Sequence, residues 1–231
     1  MWKSITWVLS VCLIVAAPAV AEDTKPLAVL SLTSHSDANF NPSSVDFVAD
    51  ADEMPTWLSS TLQLFAEGRG VWGLDASRPW GAVVQRTGSA LSAYAFIPVD
   101  DPEGLAWELS DYIESQTEVA YGIYRIVGTE PGKQLYAREA NGWLFVSDCP
   151  KCLATVNSNP IELLDDMHKQ YDVALRISVK NVPAREGDKI LSTIDSTLGT
   201  VLRKKLSGQS MNILGEAAFA LDEVTLGWSK K

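Results

Sequence analysis

Cys149-Pro150-Lys151-Cys152 is the spacing in this chain best suited to chemistry. Two thiols set three residues apart at a helix start meet the helix's free N–H groups, which stabilise a thiolate. Thiol–disulfide oxidoreductases are built this way. The pattern here follows a strand that leaves an Asn141-Gly142 turn, whereas the thioredoxin arrangement follows a strand of a βαβ unit. In an oxidising compartment a structural disulfide between Cys149 and Cys152 is the leading expectation. So short a loop contributes only about 2 kcal/mol in the chain-entropy model. Unpaired or metal-linked thiols and redox catalysis, with Cys149 attacking and Cys152 resolving, are the alternatives.

Other patterns carry less. Gly68-Arg69-Gly70-Val71-Trp72-Gly73 fits G-x-G-x-x-G, but dinucleotide binding needs a strand before it and a helix after it. Here a helix precedes and Leu74–Pro79 is not helical, so no nucleotide cofactor is expected. The histidines are His35 and His168. Ser34-His35-Ser36-Asp37 holds triad residue types, yet neighbours in sequence cannot make triad geometry. A strand-end turn is expected there. Asp165-Asp166-Met167-His168 cannot aim consecutive residues at one ion. Asp50, Asp52 and Glu53 lack the spacing and glycine of a calcium loop. Gly208-Gln209-Ser210 lacks the final glycine and preceding strand of a nucleophile elbow. No metal and no convergent catalytic set is therefore expected. Among the tryptophans, Trp57 and Trp228 read as core, while Trp72 and Trp80 flank a loop and are the candidates for exposed aromatics. Even for these two, packing under the loop is the favoured reading.

The chain begins with Met1-Trp2-Lys3, an apolar run over Ile5–Ala17, Pro18, and then Ala19-Val20-Ala21. This is the pattern of a secretory signal cleaved after Ala21, leaving Glu22 as the mature N-terminus. The run is shorter than the roughly 20 residues a spanning helix needs. Val11 before Cys12, and the apolar run beyond it, exclude a lipoprotein reading. The mature chain is expected to be exported, periplasmic or extracellular, with no insertion in the membrane. Net charge is −10, and one unit more negative once Lys3 is removed. Such a balance excludes a nucleic-acid footprint and an anionic lipid surface. The acid reads as dispersed.

Elements follow from periodicity and turn chemistry. Leu27–Thr33 reads as a strand. Val45–Ala49 and Pro55–Glu67 read as helices, the second with Leu58, Leu62 and Phe65 on one face. Residues 82–85 and 91–97 form a hairpin about Gly88-Ser89, and 134–139 and 143–147 form another about Asn141-Gly142. Tyr121–Val127 adds a strand. Each hairpin leads into a helix through related words, Asp100-Asp101-Pro102-Glu103-Gly104-Leu105-Ala106 and Asp148-Cys149-Pro150-Lys151-Cys152-Leu153-Ala154. Proline stands at the first helical position of both. This suggests a weak internal β-β-α repeat. The first helix is expected to carry Leu105, Leu109, Tyr112 and Ile113 on one face. Asp172–Val179 reads as a strand. A long helix from Ala184 has Ile190, Ile194, Leu198, Val201 and Leu202 as its stripe, and Met211–Leu221 reads as a shorter one. Val224, Leu226 and Trp228 alternate as a closing strand. The sum is a single α+β domain over residues 22–231, an antiparallel sheet with helices packed on it.

Gly73-Leu74-Asp75-Ala76-Ser77-Arg78-Pro79-Trp80-Gly81-Ala82-Val83-Val84-Gln85 resembles a block in a family of uncharacterised exported proteins from planctomycete-type bacteria. Phe96-Ile97-Pro98-Val99, Asn141–Asp148, Tyr171-Asp172-Val173-Ala174 and Leu226-Gly227-Trp228-Ser229 resemble further blocks. The resemblance implies export and no particular activity. Members of that family continue past the Gly-Trp-Ser strand, so this chain, ending at Lys230-Lys231, is expected to be a shortened relative. The function expected from all of this is that of an exported, non-enzymatic binding or interaction protein, with an envelope protein or polysaccharide as partner. The alternatives are a thiol–disulfide oxidoreductase and a structural component of the cell envelope.

Overall fold

The computed structural model describes residues 26–37, 56–67, 70–87, 90–130, 132–156, 159–181 and 222–228. The segment expected to be an export signal, Asp50, Asp52, Glu53, Gly208-Gln209-Ser210, and the helices expected at Val45–Ala49, from Ala184 and over Met211–Leu221 lie outside them.

Among the described residues, nine strands form one antiparallel sheet: β1 Pro26–Leu32, β2 Trp80–Thr87, β3 Ala90–Pro98, β4 Ile113–Ala120, β5 Ile123–Gly128, β6 Gln134–Ala140, β7 Trp143–Ser147, β8 Val173–Ile177 and β9 Val224–Trp228. Their order across the sheet is β4-β5-β6-β7-β3-β2-β1-β8-β9. Five helices accompany them: α1 Thr56–Glu67, α2 Pro102–Glu108, α3 Pro150–Ala154, α4 Ile161–Leu164 and α5 Met167–Gln170. The α+β class follows from the sheet and its helices. No helix among the described residues is long and apolar enough to cross a membrane.

Alternation along the strands divides the buried side chains between two cores, because successive residues point to opposite faces of a sheet. Leu30, Ala82, Val84, Ala95 and Ile97 pack with Leu62 and Phe65 of α1 and Leu105 of α2. Val29, Val83, Tyr94, Phe96 and Phe145 pack with Leu153 of α3, Leu164 of α4 and Met167 of α5. The central strands are covered on both faces, which is why β1 is buried at every position from Leu27 to Leu32 and is apolar at all of them but Ser31 rather than at alternate ones.

Two expectations need correction at one end of the sheet. Helix α2 stops at Glu108 and a 3-10 turn over Ser110–Tyr112 leads into β4 at Ile113. The apolar face expected through Tyr112 and Ile113 is therefore cut short: Leu105 is buried and Leu109 half-buried, while Tyr112 is 70% exposed. The spacing of four apolar residues mimics a helical stripe, but only the first two face a core. Strand β4 itself is absent from the periodic reading, because residues 114–120 are exposed on both faces and carry no apolar alternation. Tyr121-Gly122, expected inside a strand, makes the turn between β4 and β5.

Candidate functional site

Of the G-x-G-x-x-G segment, Gly70–Gly73 are described, and they lie in the loop before β2. Gly73 sits at φ +86°, and a Cβ there would run into the Asp101 carbonyl and the Leu105 amide. Its own carbonyl accepts from Asp100 N (3.0 Å) and Asp101 N (3.4 Å). The glycine thus brings the loop onto the first turn of α2, with no helix following it to meet a phosphate. Beyond it, Arg78 locks the loop to two other segments. Its guanidinium donates to Asp75 Oδ2 (2.7 Å), Val99 O (3.0 Å) and Gly142 O (2.7 Å). The same group lies 4.5 Å above the Trp143 ring. Burial alone would raise the Asp75 pKa, but hydrogen bonds from Ser77 and Arg78, and the Arg78 charge, hold it below 3.8.

The tryptophans divide sharply. Trp80 is fully buried, packed against Phe65 (5.4 Å) and His35 (5.1 Å). Trp72 is 58% exposed and Trp107, on α2, 68%. These two rings meet edge to face, 6.0 Å between centroids and inclined at 63°. With Asp101, Glu103 and Gly104 they line a notch of about 360 Å³. Gly104 makes the arrangement possible: a Cβ there would stand 2.6 Å from Asp101 Oδ2 and 2.8 Å from the Trp72 indole. Asp101 caps α2, accepting from Gly104 N at 3.0 Å. Trp107 is the functional candidate that periodicity passes over, because it sits beside an apolar stripe without belonging to it. Its signal is the acidic company it keeps. From Val99 to Tyr124 the chain carries no Lys, Arg or His, while carboxylates recur from Asp100 to Glu118. The acid is locally concentrated here, not dispersed.

Cys149 and Cys152 are both free thiols, Cys149 half-buried and Cys152 buried. The disulfide expected between them is not formed in this structure. Cys149 is the N-cap of α3 with extended backbone, its N–H donating to Ser147 Oγ (3.1 Å). Burial, followed by the adjoining Cys149 thiol, pushes the Cys152 pKa up to about 12. Helix α3 has only five residues, so the dipole available to activate a thiol is small.

The two histidine segments, far apart in sequence, meet at one end of the sheet, but only one histidine reaches the opening. His35 is buried, its Nε2 2.8 Å from Phe65 O and its ring 4.8 Å from that of Phe65. It is a core histidine. Ser34 turns the strand end, its hydroxyl donating to Asp37 Oδ2 (2.7 Å) and accepting from Asp37 N (3.1 Å). His168 lines a cleft of about 620 Å³ with Ser34, Asp37, Ser77, Tyr171 and Asp172. The Ser34 proton is committed to Asp37 rather than to the imidazole, so the cleft lacks a nucleophile–base bond. Asp165 lies 3.7 Å from Arg176 and Asp166 2.8 Å from Lys169. Each acid of Asp165-Asp166-Met167-His168 thus faces its own cation, and Met167 is buried. No metal-binding cluster occurs among the described residues.

No protein-family model, curated protein or solved structure matches this chain.

Proposed function

We propose that the chain is an exported, non-enzymatic interaction protein that meets an envelope partner through the exposed aromatics of α2, β4 and the loop before them. One observation carries this. All of the large hydrophobic side chains found exposed among the described residues, Trp72, Trp107, Tyr112, Val119 and Tyr121, fall between residues 72 and 121, on the loop before β2, on α2 and the turn after it, and on β4 and the turn after that, and Trp72 and Trp107 touch each other. Apolar side chains gathered on a polar surface mark a contact site rather than the scatter expected of a solvated face. Export rests on the Met1–Ala21 segment. The units β2-β3-α2 and β6-β7-α3 read as copies of one β-β-α element, supported by the proline at the first position of both helices. The copies would differ in placing their helices on opposite faces of the sheet.

The test is co-sedimentation of the purified mature domain with the envelope fraction of cells that make it. Changing Trp72 and Trp107 together to Ala should weaken binding at least about tenfold, since buried aromatic anchors dominate contact energies. Circular dichroism and the unfolding midpoint should stay within error. Equal binding by folded wild type and variant, or no binding by wild type, would remove the proposal.

A second reading, thiol–disulfide oxidoreductase, is supported by a reachable Cys149 beside a buried Cys152, both free. Cys149 thiolate would attack a substrate disulfide, forming a mixed disulfide and expelling one substrate thiolate. Cys152 thiolate would then displace the second, leaving a Cys149–Cys152 disulfide. The raised Cys152 pKa slows that second step. The pre-reduced domain is expected to reduce a model protein disulfide no faster than free dithiol. Turnover that vanishes in Cys149→Ser would establish the second reading in place of the first.

A further inference from the structure

The Trp72–Trp107 notch combines features that together select a charge type. Its walls are two indoles inclined at 63°, not a flat platform. Asp101 and Glu103 supply its polar groups, and both are hydrogen-bond acceptors. No ion pair among the described residues engages either carboxylate. The stretch of chain that carries them, from Val99 to Tyr124, has several further carboxylates and no Lys, Arg or His. Inclined aromatic faces with carboxylates at their rim are suited to an alkylammonium group, which the ring quadrupoles and the negative charge attract together. A neutral sugar fits less well, because it stacks best on one open ring face and gains nothing from the net charge.

We infer that this notch receives a lysine side chain from a basic protein partner. The inference rests on the interaction surface proposed above and adds the chemistry of what docks there. The notch is already shaped before binding: Gly104 lets the Trp72 ring lie on the first turn of α2, and Gly73 ties that ring's loop to the same turn. Little ordering is then lost when a side chain enters.

The probe is a decalysine peptide, followed by the indole N–H resonances of Trp72 and Trp107 and by titration calorimetry on the mature domain. A neutral chito-oligosaccharide serves as comparison. Decalysine should shift both indole signals, with affinity falling as salt rises. Trp107→Ala should weaken it about fivefold, the size of a partly exposed cation–π contact. Trp107→Phe should recover about half of the loss in logarithmic terms, and Glu103→Gln should weaken binding without moving the fold. Decalysine affinity unchanged in Trp107→Ala would mean diffuse charge attraction and overturn the inference. Indole shifts with the oligosaccharide and none with decalysine would also overturn it, while leaving the interaction surface standing if the Trp72/Trp107 double variant still loses envelope binding. Loss of neither probe nor envelope binding in that variant would remove both proposals.

Discussion

Arg78 joins three parts of the chain that are distant in sequence, and its removal should be costly for a residue on no helix or strand. In Arg78→Ala, the carbonyls of Val99 and Gly142 lose a charged donor at 3.0 and 2.7 Å. Hydrogen bonds to charged groups contribute about 1.5–3 kcal/mol each. Both bonds here come from one nitrogen in a half-buried site where water can partly replace it, so the low end applies. The ring contact with Trp143 adds about 0.5–1 kcal/mol, and the partly exposed Asp75 pair little more. Together the loss should be about 4 kcal/mol, a fall in Tm of roughly 8–16 °C for a chain of this size. Arg78→Lys should recover only about a third, since an ammonium cannot reach Asp75, Val99 and Gly142 from one planar fork. Urea unfolding followed by tryptophan fluorescence measures both, with the slope unchanged. The same variant should raise the Asp75 pKa. In wild type that pKa is depressed, so its stabilising share is present above 3.8 and lost as the pH falls through the folded value. In Arg78→Ala this acid-sensitive share should shrink. A stability loss under 1 kcal/mol, with the Asp75 carboxyl titrating as before, would refute the view that Arg78 is a three-way tie.

Gly73→Ala should destabilise by about 3 kcal/mol or more, because it combines a positive φ with a backbone collision against α2; urea unfolding reads it, and a loss under 1 kcal/mol would refute the close approach. His168 should titrate below 6.5, lowered first by burial and then by Lys169, with the backbone and charge of neighbouring acids opposing in part. An imidazole proton NMR titration checks this. Because the folded pKa is depressed, the unfolded chain takes up the proton first, and the His168 contribution should be lost as pH drops from 6.5 through the folded value. An observed midpoint above 6.5 would contradict the placement of His168.

The sheet-and-helix class was legible because the central strands are apolar and their turns carry glycine and asparagine. Strand β4 was not, since Glu114-Ser115-Gln116-Thr117-Glu118 has no buried face and periodicity reports only burial. The same limit hid the exposed aromatics of α2 and the loop before β2. Trp107 is exposed because α2 ends one residue later and its outward side meets the exposed Trp72 ring rather than a core, a fact set by tertiary placement rather than by spacing. Packing under the loop is the favoured reading for both Trp72 and Trp80; Trp80, at the first position of β2, is in the core, whereas Trp72 is 58% exposed. His35 and His168 show a limit of another kind: their segments read as separate local motifs, and only the register of β1 against β8 brings those segments to one cleft.

Because the sheet is a wall between two cores, neighbouring residues on one strand answer to different partners. Val29 belongs with Phe145 and Leu153, while Leu30 belongs with Phe65 and Trp80. Stability effects add for residues that share no contacts and couple for those that do. Sequence drift in this protein should therefore be correlated across strands and into the facing helices, at every second position, rather than along any one strand. One face could be repacked by substitution while the other keeps its original residues, which leaves the α1–α2 side free to diverge independently of the α3–α5 side.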